Sequence, residues 1–257
     1  CKRVGDMMGQ IKTVVFSPED LEIIKNGPAV RRRFIDIHLS QIMPAYFYQL
    51  TKYMQVLQQR NELLKKMAFN PDEASLDVFD SLLASAAVPI LEYRRDFINR
   101  LEPIVEGLHS SLSGNSERLI IKYAPGCDCD EQGILKALKN TRAGDIKRGA
   151  TYIGPHHDDI EIRLNDTDLR FYGSQGQQRS AVLALKLAEA MLLQDVTGEK
   201  PVAFLDDVMS ELDTSRQDYI LNHIEGWQVF ITCCEPSTAL KNTAAKVFNV
   251  KQGVISE

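Results

Sequence analysis

The chain has 257 residues, of which 44% are hydrophobic and 25% are charged, so it is long and apolar enough to bury one large core or two smaller ones. Its formal net charge of −5 excludes a uniformly basic coat, although a single positive face remains compatible with DNA binding. It has no apolar run of about 18 residues and no signal-peptide pattern, so we expect no membrane partner and a cytoplasmic location.

The cysteines are too few and too clustered for a disulfide framework. We interpret all five as reduced thiols: Cys1, Cys127, Cys129, Cys233 and Cys234.

Residues 1–27 predict a strand that leads into a short helix. The β-branched and aromatic run Thr13–Phe16 favours the strand, and Ser17 followed by Pro18 and acidic residues is typical of a helix start. The chain opens at Cys1, without a methionine, shortly before this strand. We therefore predict that residues 1–27 are the end of a lobe whose first elements are absent from this sequence.

Residues 28–115 predict an antiparallel arm of two long helices. Apolar residues recur every seven positions, which is typical of helices that pack along a stripe. We expect Pro44 to kink or restart the first helix, residues 70–72 to separate the two, and Pro89 and Pro103 to bend the second. The stripes are Leu39, Tyr46 and Tyr53; Met43, Leu50, Leu57 and Leu64; and Leu76, Leu83, Ile90, Phe97 and Ile104.

Residues 116–257 alternate between predicted strands and helices. The predicted strands are residues 119–123, 159–164, 169–172, 202–205 and 229–232, with a closing pair near Val247 and Val254. The predicted helices are residues 176–194, which are apolar on most of their circumference, and residues 214–224. This order predicts an α/β fold with a largely parallel sheet, into which the helical arm is inserted.

Two carboxylates follow the predicted buried strand 202–205. In open α/β sheets ligands bind at the carboxyl ends of strands, where a carboxylate is well placed for a nucleotide-bound magnesium ion. Asp206 would hold Mg²⁺, and Asp207 would polarise the attacking water. Taken alone, the pattern also fits a strand that ends in an acidic loop.

A second candidate site lies at the start of the predicted helix 176–194. Ser174, Gln175, Gly176 and Gln177 would present a hydroxyl, unpaired N–H groups and the positive end of the helix dipole, which suit a γ-phosphate. An ordinary serine cap explains the same residues. The acidic strand about 30 residues later, followed directly by residues 210–213, favours the phosphate interpretation.

Three segments resemble motifs of ABC-type ATPases and follow one another in the same order as in those proteins. Residues 174–177 resemble the signature motif, residues 202–207 the Walker B segment and residues 210–213 the D-loop. The chain also resembles the RecF family of DNA-repair ATPases over nearly its whole length. The amino-acid sequences that carry this resemblance are residues 172–180, 206–213, 16–21, 31–34 and 154–156. The sequence departs from the family pattern at His157, where we expect arginine. Residues 232–234 (Thr-Cys-Cys) stand where transporter ATPases carry a switch histidine.

The resemblance implies an ABC-type ATPase head with an inserted antiparallel helical arm, spanning residues 1–27 (end of the N-terminal part), 28–115 (arm) and 116–257 (C-terminal part). It implies ATP and Mg²⁺ as cofactors, with Ser174, Gln175, Gly176, Gln177 and Asp213 at the nucleotide, Ser174 acting on the other subunit's ATP. It further implies an ATP-dependent homodimer that binds double-stranded and gapped DNA. Finally, it implies a nucleoid-associated role with RecR and RecO in loading RecA, linked to replication, recombination and the SOS response.

No Gly-Lys pair occurs in the chain, so the GxxxxGK[ST] phosphate loop is absent. We therefore expect residues 1–257 by themselves to be inactive as an ATP hydrolase, and the full-length protein to be active.

Weaker candidates have strong structural alternatives. Arg31, Arg32 and Arg33 could contact DNA phosphates, but salt bridges to nearby acids compete; the candidates are Glu19, Asp20 and Asp36. A second basic group has solvated charge as its alternative: Lys136, Lys139, Arg142, Lys147 and Arg148. A metal site at residues 156–159 is disfavoured, because adjacent histidines point in different directions.

Three other functions compete. An SMC-like chromosome-organising ATPase would need hundreds of residues of coiled coil, and a transporter ATPase subunit would have a shorter helical insertion and glutamate at position 207. The third is a DNA- or partner-binding fragment without its own ATPase activity.

Overall fold

The computed structural model describes residues 9–67, 69–127, 130–234 and 245–256. The helices of this part are α1 (Glu22–Lys25), α2 (Pro28–Ile42), α3 (Pro44–Met67), α4 (Glu73–Leu112), α5 (Glu131–Arg148), α6 (Leu169–Tyr172), α7 (Gln175–Thr197) and α8 (Thr214–His223). Its strands are β1 (Thr13–Phe16), β2 (Leu119–Ala124), β3 (Asp159–Leu164), β4 (Thr167–Asp168), β5 (Val202–Asp206), β6 (Val229–Thr232), β7 (Asn249–Lys251) and β8 (Val254–Ser256). Short 3₁₀ helices occupy Pro18–Leu21, Pro155–His157 and Val208–Glu211.

The predicted parallel sheet is present, with strand order β1-β5-β6. The prediction of a buried strand at β5 is correct for one face only, where Ala203 and Leu205 are buried. Phe204 is 37% exposed and stacks on Phe230 of β6, while Val15 of β1 lies beside it in register. Successive side chains of a strand point to opposite faces of the sheet, and only one face of this sheet packs against the described helices.

The two helices of the predicted arm are confirmed as an antiparallel pair, α3 and α4. A new helix begins at Pro44, directly after Met43, because proline is tolerated in the first turn of a helix but not in its interior. Contacts between Arg60 and Asp80 and between Tyr46 and Arg94 set the antiparallel register. Helix α4 runs for 40 residues and continues through its two prolines.

Within the described ranges, α4 is long and apolar enough to cross a membrane by length and composition alone. Its apolar residues are covered by protein, since α4 packs against α3, α5, α7 and β2. Leu83, Ile90 and Leu101 are almost completely buried in those contacts. A core helix passes the same test of length and composition, so the helix is weak support for a membrane span.

The second sheet is antiparallel, with order β2-β3-β4. The strand predicted at residues 169–172 is wrong, since these residues form the short helix α6. Asn165 and Asp166 turn the chain tightly with positive φ, so β4 has only two residues. The Asp168 carboxylate then accepts a hydrogen bond from the Arg170 N–H at 2.8 Å and caps α6.

Helix α5 was not predicted as an element. Its termini carry the expected signals, since Asp130 caps the start and Gly149 ends the helix with φ of 64°. Buried ion pairs attach it to the helical pair: the fully buried Arg60 guanidinium donates to Asp80 at 2.7 Å and to Asp145 of α5 at 2.9 Å.

One cluster of buried apolar residues extends from β1 through the helical pair to α7 and β5. Helix α7 is buried along most of its length, as its composition predicts, and it lies between the helices and the parallel sheet. The division at residues 27 and 115 stays a prediction. Of the cysteines, Cys127, Cys233 and Cys234 form no disulfide, and Cys1 and Cys129 lie outside the described residues.

Candidate functional site

The two candidate carboxylates lie where the parallel sheet ends. Asp206 is the last residue of β5, and its Oδ1 accepts a hydrogen bond of 2.5 Å from the Thr232 hydroxyl at the end of β6. The Asp207 N–H donates to the Thr232 carbonyl and to its hydroxyl oxygen, both at 3.1 Å. Thr232 therefore fixes both acidic residues, a role that the sequence analysis missed.

Asp207 adopts φ of 52° and ψ of 9°, the left-handed region that costs a residue other than glycine conformational energy. This backbone turns the chain sharply off the strand. The Ser210 hydroxyl holds the turn, bonding to the Asp207 carbonyl at 2.7 Å and its Oδ1 at 3.0 Å. The Asp207 side chain is thus oriented by the D-loop and remains exposed to solvent.

The candidate D-loop, residues 210–213, ends in Asp213, which caps α8. Its carboxylate accepts from the Arg216 N–H at 3.0 Å and also pairs with the Arg216 guanidinium. These bonds, led by the backbone N–H, hold the pKa of Asp213 below its usual value. Asp213 is therefore anionic and fixed in place at neutral pH.

The candidate signature residues lie at the N-terminus of α7. Ser174 caps this helix in a reciprocal arrangement: its Oγ accepts from the Gln177 N–H at 3.3 Å, and Gln177 Oε1 accepts from the Ser174 N–H at 2.8 Å. The ordinary serine cap, which was the alternative to a phosphate site, is therefore present. It does not exclude anion binding, because the first N–H groups of a helix lack internal acceptors.

Space is available for a ligand at this helix end. Ser174, Gln175 and Gly176 are exposed, and a Cβ placed on Gly176 would meet no atom within 4 Å. An anion could approach the backbone here closely, which is the property that a phosphate site requires.

The signature helix and the D-loop are joined within the chain. The Arg216 guanidinium donates two hydrogen bonds to Ser180 Oγ, at 2.9 and 3.1 Å, and Ser180 in turn donates to the Gly176 carbonyl at 3.0 Å. Arg179 bonds to the Glu211 carbonyl and carboxylate, each at 3.3 Å. The two segments therefore form one connected surface.

The residues present fit a magnesium ion that is bound together with a nucleotide. One oxygen of Asp206 is occupied by Thr232, which leaves the other for a cation or its bound water. Across the described ranges, no group of three or more His, Cys, Asp or Glu side chains could hold a metal alone. Magnesium is commonly held by one or two carboxylates plus substrate phosphates, so this arrangement suits it.

Arg31 has structural partners, which favour the salt-bridge alternative over its predicted contact with DNA. Its guanidinium donates to both oxygens of Asp159, at 2.5 and 2.9 Å, and to the carbonyls of Ile23 and Asn26. Only 8% of its side chain is exposed, so no phosphate can reach it. Arg31 does form a salt bridge, but with Asp159 and not with the nearby acidic residues that the sequence suggested.

The neighbouring arginines remain accessible at a groove of about 590 Å³ between α2 and α3. Arg32 is half-buried and donates to the Asp158 carbonyl at 2.7 Å, whereas Arg33 is exposed. Burial and the nearby Arg94 lower the pKa of Arg32 from its usual value. Of the three arginines, Arg33 is best placed to meet a phosphate.

The second basic group is partly engaged in structure. Arg142 of α5 pairs with Asp77 and Asp80 at 2.5 and 2.6 Å, which joins α5 to α4. That contact supports the structural alternative for this side chain.

His156 and His157 both bond to protein groups. His156 Nε2 bonds to the Thr151 carbonyl at 2.9 Å, and its Nδ1 lies 2.5 Å from the Tyr53 hydroxyl. His157 reaches the same carbonyl at 3.3 Å and stacks on Tyr152. The structural interpretation of this stretch is thus supported.

No family model matches the chain. It is 44% identical over 259 residues to the DNA replication and repair protein RecF of Agathobacter rectalis, a match that covers 99% of this chain and 70% of that protein. Proteins of the same name match from Ruminiclostridium cellulolyticum (46% identity, 90% of this chain, 65% of that protein) and Lachnospira eligens (43%, 100% and 72%). The chain thus spans between 65% and 72% of the length of these relatives.

Solved structures agree with the sequence relatives. A structure of the recombination mediator protein RecF with ATPrS, in the RecFOR pathway, matches with a TM-score of 0.89 and 38% identity, covering 99% of this chain and 70% of that one. A structure of RecF with ATP matches with the same TM-score and 35% identity, covering 100% and 70%. The fold of this chain is therefore that of an ABC-type ATPase head with its helical insertion.

Proposed function

The chain belongs to the RecF family, and on that premise we propose that it forms the part of a recombinational DNA-repair ATPase that supplies the Walker B, signature and D-loop segments. The observation that carries the proposal is the geometry at the sheet's carboxyl edge. Thr232 and Ser210 fix Asp206 and Asp207 there, while Ser174 caps an exposed helix end with open space before it. Both solved relatives bind ATP or its analogue in the same fold.

The two carboxylates divide the work. Asp206 would hold the nucleotide's Mg²⁺, directly or through water, with its carboxylate oriented by the Thr232 hydroxyl. Asp207 accepts a hydrogen bond from the attacking water and aligns it with the γ-phosphate. A bound Mg²⁺ neutralises charge on the phosphate oxygens. The two carboxylates have different partners, since Asp206 bonds to Thr232 and Asp207 to Ser210, and the proposed roles use them separately.

Ser174 acts on the nucleotide of a second copy of the chain. Its hydroxyl and the N–H groups of Gln175 and Gly176 bind the γ-phosphate across a head-to-tail homodimer, with Gln177 and Asp213 completing the contact. ATP then links the subunits, and hydrolysis releases them. Because residues 1–257 contain no Gly-Lys pair, we propose that they hydrolyse ATP poorly without a phosphate loop supplied from elsewhere.

The dimer binds duplex DNA at single-strand gaps and helps RecR and RecO load RecA in the cytoplasm. Arg33 and the accessible part of Arg32 are the phosphate contacts proposed from the original basic run. An SMC-like organiser is disfavoured because α3 and α4 have only 24 and 40 residues.

The test is the substitution Ser174→Arg in the intact protein, which fills the phosphate's space. We expect ATP-dependent dimerisation to be lost while the monomer still binds ATP. Ser81→Arg, on an exposed face of α4, is the matched control and should dimerise normally.

Mixing Ser174→Arg with Asp206→Ala places both lesions on one composite site of a heterodimer and leaves the other site intact. Partial recovery of dimerisation or hydrolysis is expected. A Ser174→Arg protein that dimerises normally with ATP would show that Ser174 only caps its helix.

A further inference from the structure

A chain of hydrogen bonds runs from the candidate signature residues to the end of the long helix α4. The Gln177 side chain uses both ends of its amide: Oε1 accepts from the Ser174 N–H at 2.8 Å, and Nε2 donates to Glu117 Oε1 at 2.7 Å. The other oxygen of Glu117 lies 3.1 Å from Nε2 of His109, in the last turns of α4. Two residues, Gln177 and Glu117, thus connect the Ser174 backbone to the fully buried His109.

Elementary hydrogen-bond chemistry fixes the direction of this chain. A carboxylate only accepts and a backbone N–H only donates, so the Gln177 amide has one orientation that satisfies both neighbours. Burial lowers the pKa of His109 from its usual value, so the ring is neutral at pH 7 and must carry its proton on Nε2, facing Glu117. Every donor in the chain therefore points towards the single charge on Glu117.

The series of hydrogen bonds is buried at its His109 end and exposed at its Ser174 end. The His109 side chain has no exposed surface, and 21% of the Glu117 side chain is exposed. In contrast, Ser174, Gln175 and Gly176 are exposed, with open space beside Gly176. Without the bond from Gln177, the Ser174 N–H would lose its acceptor and the residues before the helix would sample more conformations.

The same helix end also holds the segment after the D-loop. The Tyr219 hydroxyl of α8 donates to the Leu108 carbonyl at 3.2 Å, one residue before His109. The C-terminal turn of α4 is therefore linked to the candidate signature residues and to α8, the helix that follows the candidate D-loop.

We propose that Glu117 is a positioning residue, which acts through Gln177 to hold the signature serine in its phosphate-binding conformation and to attach it to the C-terminal turn of α4. The effect of Glu117 on ATP-dependent dimerisation rests on the proposed function, whereas its hydrogen bonds do not depend on that function. Glu117 touches no nucleotide itself. Its charge orders three donors, so the signature segment is preorganised before a second subunit arrives.

The first test replaces Glu117 with glutamine, which keeps the shape and removes the charge. In the intact protein, Glu117→Gln should raise the ATP concentration for half-maximal dimerisation about tenfold, the effect of losing one charge-assisted hydrogen bond. ATP affinity measured at protein concentrations too dilute for dimers should not change. Glu106→Gln is the matched control, since Glu106 pairs with Arg118 on the exposed surface nearby and should behave as the wild type.

The second test needs no nucleotide. Backbone amide exchange of residues 173–177 should be faster in Glu117→Gln and in Gln177→Glu, where two carboxylates would face each other. In the combined variant Glu117→Gln with Gln177→Glu, each donor again meets an acceptor, so exchange should return to the wild-type rate.

The results separate the two proposals. Wild-type exchange in Glu117→Gln, or a combined variant as fast as Gln177→Glu alone, would overturn the positioning role. Dimerisation of Glu117→Gln at the wild-type ATP concentration, or an equal loss in Glu106→Gln, would do the same. If instead Ser174→Arg dimerises normally while the exchange results hold, the proposed function fails and the hydrogen-bonded chain stands.

Discussion

Replacing Arg31 with alanine should destabilise the protein without weakening its DNA affinity per folded molecule, whereas replacing Arg33 should do the opposite. The two residues are only two positions apart. If the whole basic run bound phosphate, both substitutions would weaken DNA binding. In the structure, Arg31 is buried against Asp159 and two backbone carbonyls, and Arg33 is exposed.

The magnitude for Arg31 follows from its partners. Removing one member of a buried ion pair costs about 3–5 kcal/mol, because the remaining charge stays in a poorly solvated site. The Asp159 side chain is 30% exposed, so water compensates part of the loss, and we expect about 3 kcal/mol. Arg33→Ala should change stability by less than about 0.5 kcal/mol.

The assays are urea denaturation of each variant and DNA binding over a series of salt concentrations. Arg33→Ala should reduce the salt slope of binding by about one unit, as for one lost phosphate contact, and Arg33→Lys should retain it. A fully stable Arg31→Ala protein with a reduced salt slope would refute the structural role of Arg31. An unchanged slope in Arg33→Ala would remove Arg33 from the DNA surface.

Three further predictions concern single sites. Asp207→Asn should slow ATP hydrolysis while leaving ATP binding largely intact and letting the dimer accumulate, because the metal ligand Asp206 remains; unchanged steady-state turnover would contradict the assignment. Lys186→Met should cost about 3 kcal/mol in urea denaturation, since it removes the lysine 2.5 Å from the buried Glu189 carboxylate and leaves only His38, at 3.7 Å, beside it; adding Glu189→Gln should recover most of the loss, and no recovery would be the contrary result. Burial lowers the pKa of His156 to about 4, so the unfolded chain binds the proton first and stability should fall as pH drops from 6.5 towards that value. His156→Gln should reduce the difference in unfolding free energy between pH 7.5 and pH 5, and an equal loss in both proteins would contradict this.

Local chemistry was enough to predict the elements that carry the candidate site. Pro44 restarts a helix, and Ser174 begins one, because both signals act within a single turn. The strand ending in Asp206 was predicted from its apolar run alone. Where local signals conflicted, the prediction failed: the aromatic residues at 169–172 favoured a strand, but the Asp168 cap made them helical.

Contacts between distant parts of the chain could not be predicted in this way. Arg31 was paired with acids close in sequence, whereas its partner Asp159 lies 128 residues away. Glu117 and Gln177 are 60 residues apart, and no pattern in either segment indicates the other. Such pairs depend on how α4, β2 and α7 pack, which periodicity does not specify.

The connection between the signature and the D-loop has a consequence for a head-to-tail dimer. In that arrangement Ser174 serves the partner's nucleotide, while Asp206 and Asp207 serve the chain's own. Arg216 nevertheless bonds both to Asp213 of the D-loop and to Ser180 of the signature helix. Ser210 of the candidate D-loop also bonds to Asp207, so a displacement at the chain's own nucleotide would pass through the D-loop and Arg216 to the signature helix at the partner's nucleotide. Two composite sites joined by such contacts have a physical route for sensing each other's state, because a guanidinium bonded to both Asp213 and Ser180 resists independent movement of the two segments.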